Sequence, residues 1–208
     1  MSSNYYPRSP FAEWAGNTVL KTLGWRIDGE LPTLPKYVAV VGYHTSNWDF
    51  VILIAAKLVM RLRARWFGKH SLFKWPLMGR LFRAWGGIAI KRHRSHGVVE
   101  QAVEAFDRHS HFVLGLSPEG TRSLTRGWKA GFYHIARGAQ VPILPVALDF
   151  ERKRIVVGEA RMPAQTYRQE LERQLRFYNQ FPPRYPERAW RGEEEAPTSS
   201  QKRTLTGC

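Results

Sequence analysis

The spacing of apolar residues along the chain predicts strands that alternate with helices. Short apolar runs rich in β-branched residues predict buried strands, and stripes that recur every three or four positions predict helices. The predicted strands are 37–42, 65–67, 87–90, 112–116, 143–150 and 154–157. The predicted helices are 11–23, 50–60, 72–85, 95–108, 130–139 and 165–180. This alternation indicates an α/β fold, a single domain with a largely parallel central sheet flanked by helices.

The apolar face of the first predicted helix leaves two interpretations open. It is suited to an amphipathic helix lying on a membrane surface, and equally to a helix packed on the core of the domain. Its members are Phe11, Trp14, Ala15, Thr18, Val19, Thr22 and Leu23. The run 50–60 is interrupted by Lys57 and is shorter than the roughly 20 residues that cross a bilayer, so we interpret it as a buried helix. No signal peptide is visible in residues 1–10.

Composition predicts three regions along the chain. Residues 1–30 form an N-terminal amphipathic helical segment and residues 31–181 form the main domain. Residues 182–208 are rich in Pro, Glu, Arg, Ser and Thr, which is typical of a mobile tail. The only cysteine is Cys208, which excludes an intrachain disulfide and a cysteine-based zinc site. A single cysteine agrees with a reducing cytosol.

The charge of the chain indicates a polyanionic partner. The formal net charge is +15 in 208 residues, and the sequence pI is about 10.4. Residues 50–99 contain no Asp or Glu, and their basic residues are interleaved with aromatic ones. That mixture favours an anionic membrane or phospholipid. A plain basic surface over an aromatic core is the second interpretation, and single-stranded nucleic acid, which is not expected, the third.

Two polar motifs follow two of the predicted strands. His44 and Asp49 come after the strand 37–42, and Glu119, Gly120 and Arg122 come after the strand 112–116. A histidine beside a carboxylate can act as a general base, and an arginine beside a tight glycine turn can hold a phosphate through two hydrogen bonds. The two motifs together indicate an enzyme that deprotonates a substrate carrying a phosphate. The His–Asp pair alone would be weak evidence, since such pairs are often structural.

Four blocks, in order, resemble the glycerophospholipid acyltransferase family, which includes enzymes that acylate 1-acylglycerol-3-phosphate. The blocks are the pair His44 and Asp49, the apolar strand 87–90 leading to Arg92, the tetrad 119–122, and the proline-containing strand 141–146. Lys91 departs from the Asp that many members have before the Arg. The long N-terminal hydrophobic segment of many members is also not seen.

The resemblance implies a glycerolphosphate-acyltransferase-like fold and a role for each matched residue. His44 would be the general base and Asp49 would orient its ring, while Arg92 and Arg122 would bind the acceptor's phosphate. Glu119 would orient either Arg122 or the acceptor, and both alternatives stay open. Gly120 allows a tight turn near the ligand, and Thr121 completes the substrate-binding set. The mechanism implies no cofactor and no metal.

The implied function is transfer of a fatty acyl group from acyl-CoA or acyl carrier protein to the hydroxyl of a lysophospholipid. The favoured acceptor is 1-acyl-sn-glycerol-3-phosphate, which would become phosphatidate. The alternatives are another acceptor (a different lysophospholipid, glycerol 3-phosphate or an amino-acid lipid) and a non-enzymatic module that binds membranes or nucleic acid. We expect a cytoplasmic protein, peripherally associated with the cytoplasmic face of a membrane.

Overall fold

The computed structural model describes residues 4–90, 95–121 and 123–192, and within them it confirms the α/β architecture. The helices are α1 (Pro10–Leu23), α2 (Asn47–Val59), α3 (Pro76–Ala84), α4 (Ser95–Arg108), α5 (Gly131–Gly138) and α6 (Tyr167–Tyr178). The strands are β1 (Arg26–Asp28), β2 (Lys36–Gly42), β3 (Ala64–Lys69), β4 (Gly87–Ile90), β5 (Phe112–Leu116), β6 (Ile143–Asp149) and β7 (Arg154–Val157). Short 3₁₀ helices span His70–Phe73 and Pro186–Arg188.

The strands form one seven-stranded sheet in the order β1-β7-β6-β2-β5-β3-β4. Neighbouring strands are parallel except for β6 and β7, which are antiparallel. The largely parallel sheet predicted from the alternation is therefore confirmed. Strand β2 lies between β5 and β6 near the middle, so both of its faces are buried. Burial on both faces is why it reads as a continuous apolar run.

Helices cover both faces of the sheet and divide the core into two clusters. On one face, Val38 and Val40 of β2 pack with residues of α4, α5 and α6. On the other face, Tyr37 and Ala39 pack with residues of α1 and α2. Successive residues of one strand thus contribute to opposite clusters, as the pleat of a β-strand requires.

Helix α1 packs on the core through a face that only partly coincides with the predicted one, because Val19 and Leu23 of the predicted face pack against the core. Gly16 and Leu20 are its buried residues. A Cβ at position 16 would lie 2.7 Å from the Ala55 carbonyl oxygen of α2, so glycine permits this close approach. Phe11 and Trp14 remain 75% and 63% exposed. The helix therefore packs on the core of the domain, and two of its aromatic side chains stay at the surface. Its contact with a membrane stays a prediction.

The structure differs from the predicted organisation at both ends of the main domain. Residues 26–28 form β1, which pairs with β7 and extends the sheet beyond the predicted boundary at residue 31. In the predicted tail, Ala189 is buried and Trp190 packs against the core. Residues 182–192 are thus part of the folded domain, and residues 193–208 lie outside the described residues. None of the described helices is long and apolar enough to cross a membrane.

Candidate active site

The two polar motifs meet at one edge of the sheet. Strands β2 and β5 are parallel neighbours, with Val40 opposite Leu116, so their carboxyl ends lie side by side. The loop after β2 carries His44, and the loop after β5 carries Glu119. Because ligands of open α/β sheets bind beyond the carboxyl ends of the strands, this edge is the candidate active site.

His44 and Asp49 form a close pair at this edge. Nδ1 of His44 lies 3.2 Å from Oδ2 of Asp49, and the carboxylate is completely buried. The His44 side chain is 19% exposed. With Nδ1 directed at the carboxylate, Nε2 is the ring nitrogen left to take a proton from a substrate. The geometry is the one expected of a general base and the carboxylate that orients it.

The start of helix α2 holds Asp49 in place. Ser46 is the N-cap residue, and its Oγ accepts a hydrogen bond from the Trp48 N–H at 3.1 Å. In return, the Ser46 N–H donates to Oδ2 of Asp49 at 2.8 Å, which completes a capping box. The partial positive charge at a helix N-terminus also favours a carboxylate there. One oxygen of Asp49 therefore serves both the helix cap and the imidazole.

Glu119 is buried and holds the backbone of His44. The His44 N–H donates to Oε1 of Glu119 at 2.9 Å. Burial raises the pKa of Glu119 to about 7, although the hydrogen bond from His44 and the nearby imidazole lower it. Nearby Asp49 contributes a smaller increase. Oε2 of Glu119 is buried and has no hydrogen-bond partner among the described residues.

The remaining predicted residues of the second motif are only partly described. Gly120 has a φ of +67°, a left-handed conformation that favours glycine. Thr121 is exposed, and its Oγ1 accepts a hydrogen bond from the Ser123 N–H at 3.3 Å within the loop itself. Arg122 and Arg92 lie outside the described residues. Their predicted contact with a phosphate stays a prediction.

Sequence reasoning missed a set of residues that surround the His44 loop. The hydroxyl of Tyr43 donates to Oδ1 of Asn179, 136 residues away. Oγ1 of the buried Thr45 accepts from the Tyr185 N–H at 3.3 Å. Tyr43 and Thr45 could have been suspected because they flank His44, but nothing in the sequence marks Asn179 or Tyr185.

Comparison with known proteins identifies the family of the chain. The family model described as Acyltransferase matches residues 29–149, which is more than half of the chain. The fold and this match together place the chain among α/β proteins of the acyltransferase type. The chain belongs to the acyltransferase family, as the four blocks predicted.

Curated relatives carry the name 1-acyl-sn-glycerol-3-phosphate acyltransferase. The protein of Escherichia coli strain K12 is 31% identical over 121 residues, which cover 55% of this chain and 48% of that protein. The protein of Haemophilus influenzae is 28% identical over 153 residues, which cover 69% of this chain and 62% of that protein. The chain thus spans about half to three-fifths of the length of these relatives.

A solved structure shares the fold. It is the crystal structure of the 1-acyl-sn-glycerophosphate acyltransferase PlsC from Thermotoga maritima. The TM-score is 0.61 at 18% sequence identity, and the match covers 82% of this chain and 76% of that one. This likeness supports the architecture of the sheet and its helices.

Proposed function

We propose that this protein transfers an acyl group from a thioester to the hydroxyl of 1-acyl-sn-glycerol-3-phosphate, which gives phosphatidate. The observation that carries the proposal is the pairing of His44 with the buried Asp49 at the carboxyl edge of the sheet. Membership of the acyltransferase family supports the reaction class. The names of the curated relatives support the choice of acceptor.

The chemistry requires a base because an alcohol is a poor nucleophile near neutral pH. Nε2 of His44 takes the proton of the acceptor hydroxyl while the hydroxyl oxygen attacks the thioester carbonyl carbon. The new C–O bond gives a tetrahedral intermediate, which expels the thiolate as the C–S bond breaks. The imidazolium then returns the proton to the thiolate. Asp49 holds the Nδ1–H and stabilises the transient cation.

The acceptor's phosphate is assigned to the two matched arginines. Arg92 and Arg122 occupy the arginine positions of the second and third blocks in the family resemblance. A guanidinium can contact a phosphate through two parallel hydrogen bonds, which fixes orientation as well as charge. The acyl donor is acyl-CoA or an acyl carrier protein, and both enter the test below.

An exposed apolar surface on α3 supports peripheral attachment to a membrane. We call the exposed side chains Trp75, Leu77, Met78 and Leu81 the α3 surface. Lys74 and Arg80 are exposed beside them in the sequence. Apolar side chains next to basic ones suit insertion among headgroups of an anionic bilayer. A membrane-bound enzyme would meet its lysophospholipid in the cytoplasmic leaflet.

The test is acyl transfer by purified protein. Thiol release from palmitoyl-CoA or palmitoyl-acyl carrier protein is followed with lysophosphatidate present, and phosphatidate is identified by mass spectrometry. We expect His44→Ala to lose at least about a hundredfold in kcat, and Arg122→Ala mainly to raise KM for the acceptor. The exposed His134 on α5 provides a matched control, and His134→Ala should retain activity.

Three results would contradict the proposal. If wild-type protein acylates lysophosphatidate with neither donor, lysophosphatidate is excluded as the acceptor. The same assay with glycerol 3-phosphate, other lysophospholipids and an amino-acid lipid then tests the alternative acceptors. Full activity in His44→Ala would exclude His44 as the base. A protein that binds anionic vesicles but releases no thiol with any acceptor would be a binding module.

A further inference from the structure

We propose that Tyr43 and Asn179 are positioning residues that hold the loop carrying His44. This inference rests on the proposed role of His44 as the base. Asn179 follows helix α6 and begins a segment that we call the C-terminal strap, residues 179–191. The strap lies outside the residues 29–149 matched by the family model. The contacts below place it against both neighbours of His44.

The residue before His44 is tied to the strap by a buried hydroxyl. Tyr43 is almost completely buried, and its hydroxyl donates to Oδ1 of Asn179. Nδ2 of the same amide donates to the Arg191 carbonyl oxygen at 3.0 Å. Both ends of the amide are therefore engaged, so its orientation is defined. The Arg191 guanidinium also lies over the Tyr43 ring, 5.9 Å from its centroid.

The residue after His44 is tied to the strap as well. Oγ1 of Thr45, which is completely buried, accepts a hydrogen bond from the Tyr185 N–H. The Arg184 guanidinium of the strap lies over the ring of Trp48, in the first turn of α2, at 5.7 Å from the ring centroid. The strap thus contacts the chain on both sides of His44, whose own N–H is held by Glu119.

Asn179 is itself anchored to the sheet through the preceding residue. The hydroxyl of Tyr178 donates to the Val40 carbonyl oxygen at 2.6 Å and accepts from the Val146 N–H at 3.2 Å. Tyr178 is completely buried between β2 and β6 at this point. The end of α6 is therefore fixed relative to β2, and Asn179 transmits that fixed position to the loop that leaves β2.

Loss of the Tyr43 hydroxyl should impair the proton transfer more than substrate binding. A displacement of about 1 Å of a catalytic group can cost about a hundredfold in rate. Tyr43→Phe removes one oxygen and keeps the ring, which packs on Trp128 and Tyr178. We expect kcat to fall at least about tenfold while KM for both substrates stays within about twofold, because base geometry matters chiefly in the transition state.

The kinetic test compares four variants with a matched control. They are Tyr43→Phe, Asn179→Ala, the double variant, and Asn179→Asp, which keeps the Oδ1 acceptor. Both single variants remove the Tyr43–Asn179 hydrogen bond, so their losses of kcat should not add fully in the double variant. Asn179→Asp loses only the bond to the Arg191 carbonyl oxygen, so it should regain most of kcat. The control is Tyr133→Phe, which removes the hydroxyl of another buried tyrosine, whose 2.8 Å hydrogen bond to the Gln165 carbonyl oxygen involves neither the His44 loop nor the strap.

A spectroscopic readout decides the positioning independently of acyl transfer. The Nδ1–H proton that His44 shares with Asp49 should give a downfield NMR resonance, assigned by its loss in His44→Ala. We expect this resonance to shift or broaden in Tyr43→Phe and Asn179→Ala and to persist in Tyr133→Phe. The inference is overturned if the resonance is unchanged in both Tyr43→Phe and Asn179→Ala. It is also overturned if kcat per folded molecule of these two variants equals that of Tyr133→Phe. Inactive wild-type protein with a resonance that responds as expected would refute the proposed function alone.

Discussion

The backbone N–H of His44 donates a 2.9 Å hydrogen bond to Oε1 of Glu119, which lies 75 residues further along the chain. This bond joins the first and third of the four sequence blocks through a main-chain group. It differs from both roles that the family resemblance left open for Glu119, which were orienting Arg122 and orienting the acceptor. A buried carboxyl that holds the loop carrying His44 has consequences for stability as well as for the proposed activity.

Glu119 should make the stability of the protein depend on pH. Its pKa is raised from the ordinary value of 4.5 to about 7 because the group is buried. Between these values the folded state keeps a proton that the unfolded state releases, so stability falls as pH rises and levels off above about 7. At about 1.4 kcal/mol per pKa unit, the fold at pH 8, where Glu119 is ionised, is about 3 kcal/mol less stable than it would be with Glu119 protonated in both the folded and unfolded states.

The variant Glu119→Gln isolates this effect because the amide keeps an oxygen acceptor for the His44 N–H. The free energy of unfolding is measured by urea denaturation at pH 5, 6, 7 and 8 for both proteins. We expect the stability of Glu119→Gln relative to wild type to increase by about 2–3 kcal/mol across this range. A difference that is constant with pH would show that Glu119 titrates normally.

Asp49→Asn should abolish most activity without unfolding the protein. The amide oxygen can take the place of Oδ2 and still accept from the Ser46 N–H and from Nδ1–H of His44, but the neutral amide can no longer stabilise an imidazolium. We expect kcat to fall by about a thousandfold or more, as judged from other His–Asp pairs. Steady-state kinetics with lysophosphatidate measures the loss.

Ser46→Ala is the control that separates the helix cap from the chemistry. It removes the hydrogen bond from the Trp48 N–H but leaves the His44–Asp49 pair. The expected cost is about 1 kcal/mol of stability, with kcat within about fivefold of wild type. If Asp49→Asn is as active as Ser46→Ala, the Asp49 carboxylate has no part in the mechanism.

The parts of the fold that sequence predicted are those whose signal is local. Strand β2 is buried on both faces and reads as an unbroken apolar run. His44 and Asp49 are five positions apart, within one loop and the first helical turn, so their contact follows from the helix start at Ser46. The position of each motif directly after a strand was also predicted, and because these two strands are parallel neighbours the motifs meet at the same edge of the sheet.

The parts that could not be predicted depend on distant contacts or on polar sequence. Strand β1 has only three residues, and Arg26 and Asp28 are exposed, so no apolar run marks it. Residues 182–192 have the composition of a tail, yet they pack on the domain. Tyr185 forms a hydrogen bond with Thr45, and Asn179, just before this segment, forms one with Tyr43. The partners in the Tyr43–Asn179 bond are 136 residues apart, and no local pattern carries that information.

Tyr178→Phe should destabilise the protein more than the loss of an ordinary tyrosine hydroxyl. Val40 faces Pro145 in the parallel register of β2 and β6, so its carbonyl would ordinarily bond the Val146 N–H. The Tyr178 hydroxyl stands between these two groups and satisfies both. Its removal leaves a buried acceptor and a buried donor, at a cost of about 2–4 kcal/mol.

Tyr167→Phe is the comparison for that prediction, with unfolding in urea as the measurement. The Tyr167 hydroxyl makes one hydrogen bond, at 2.7 Å, to the Trp128 carbonyl oxygen, and its residue is only partly buried. We expect a loss of about 1 kcal/mol for this variant. Equal losses in the two variants would mean that β2 and β6 close the gap and form a direct hydrogen bond.

Leu77→Glu should weaken binding to anionic vesicles if the α3 surface meets the membrane. Leu77 is 80% exposed, so its replacement leaves the folded core undisturbed. Moving one leucine side chain into a bilayer contributes about 1.5–3 kcal/mol, and an added negative charge opposes an anionic surface. The expected result is a dissociation constant at least about tenfold higher, measured by co-sedimentation.

Met162→Glu is the control, because Met162 is also exposed, at 53%, but lies outside α3. Equal weakening by both variants would attribute the effect to net charge, and no weakening by Leu77→Glu would place the membrane contact elsewhere, with exposed Phe11 and Trp14 of α1 as the next side chains to test.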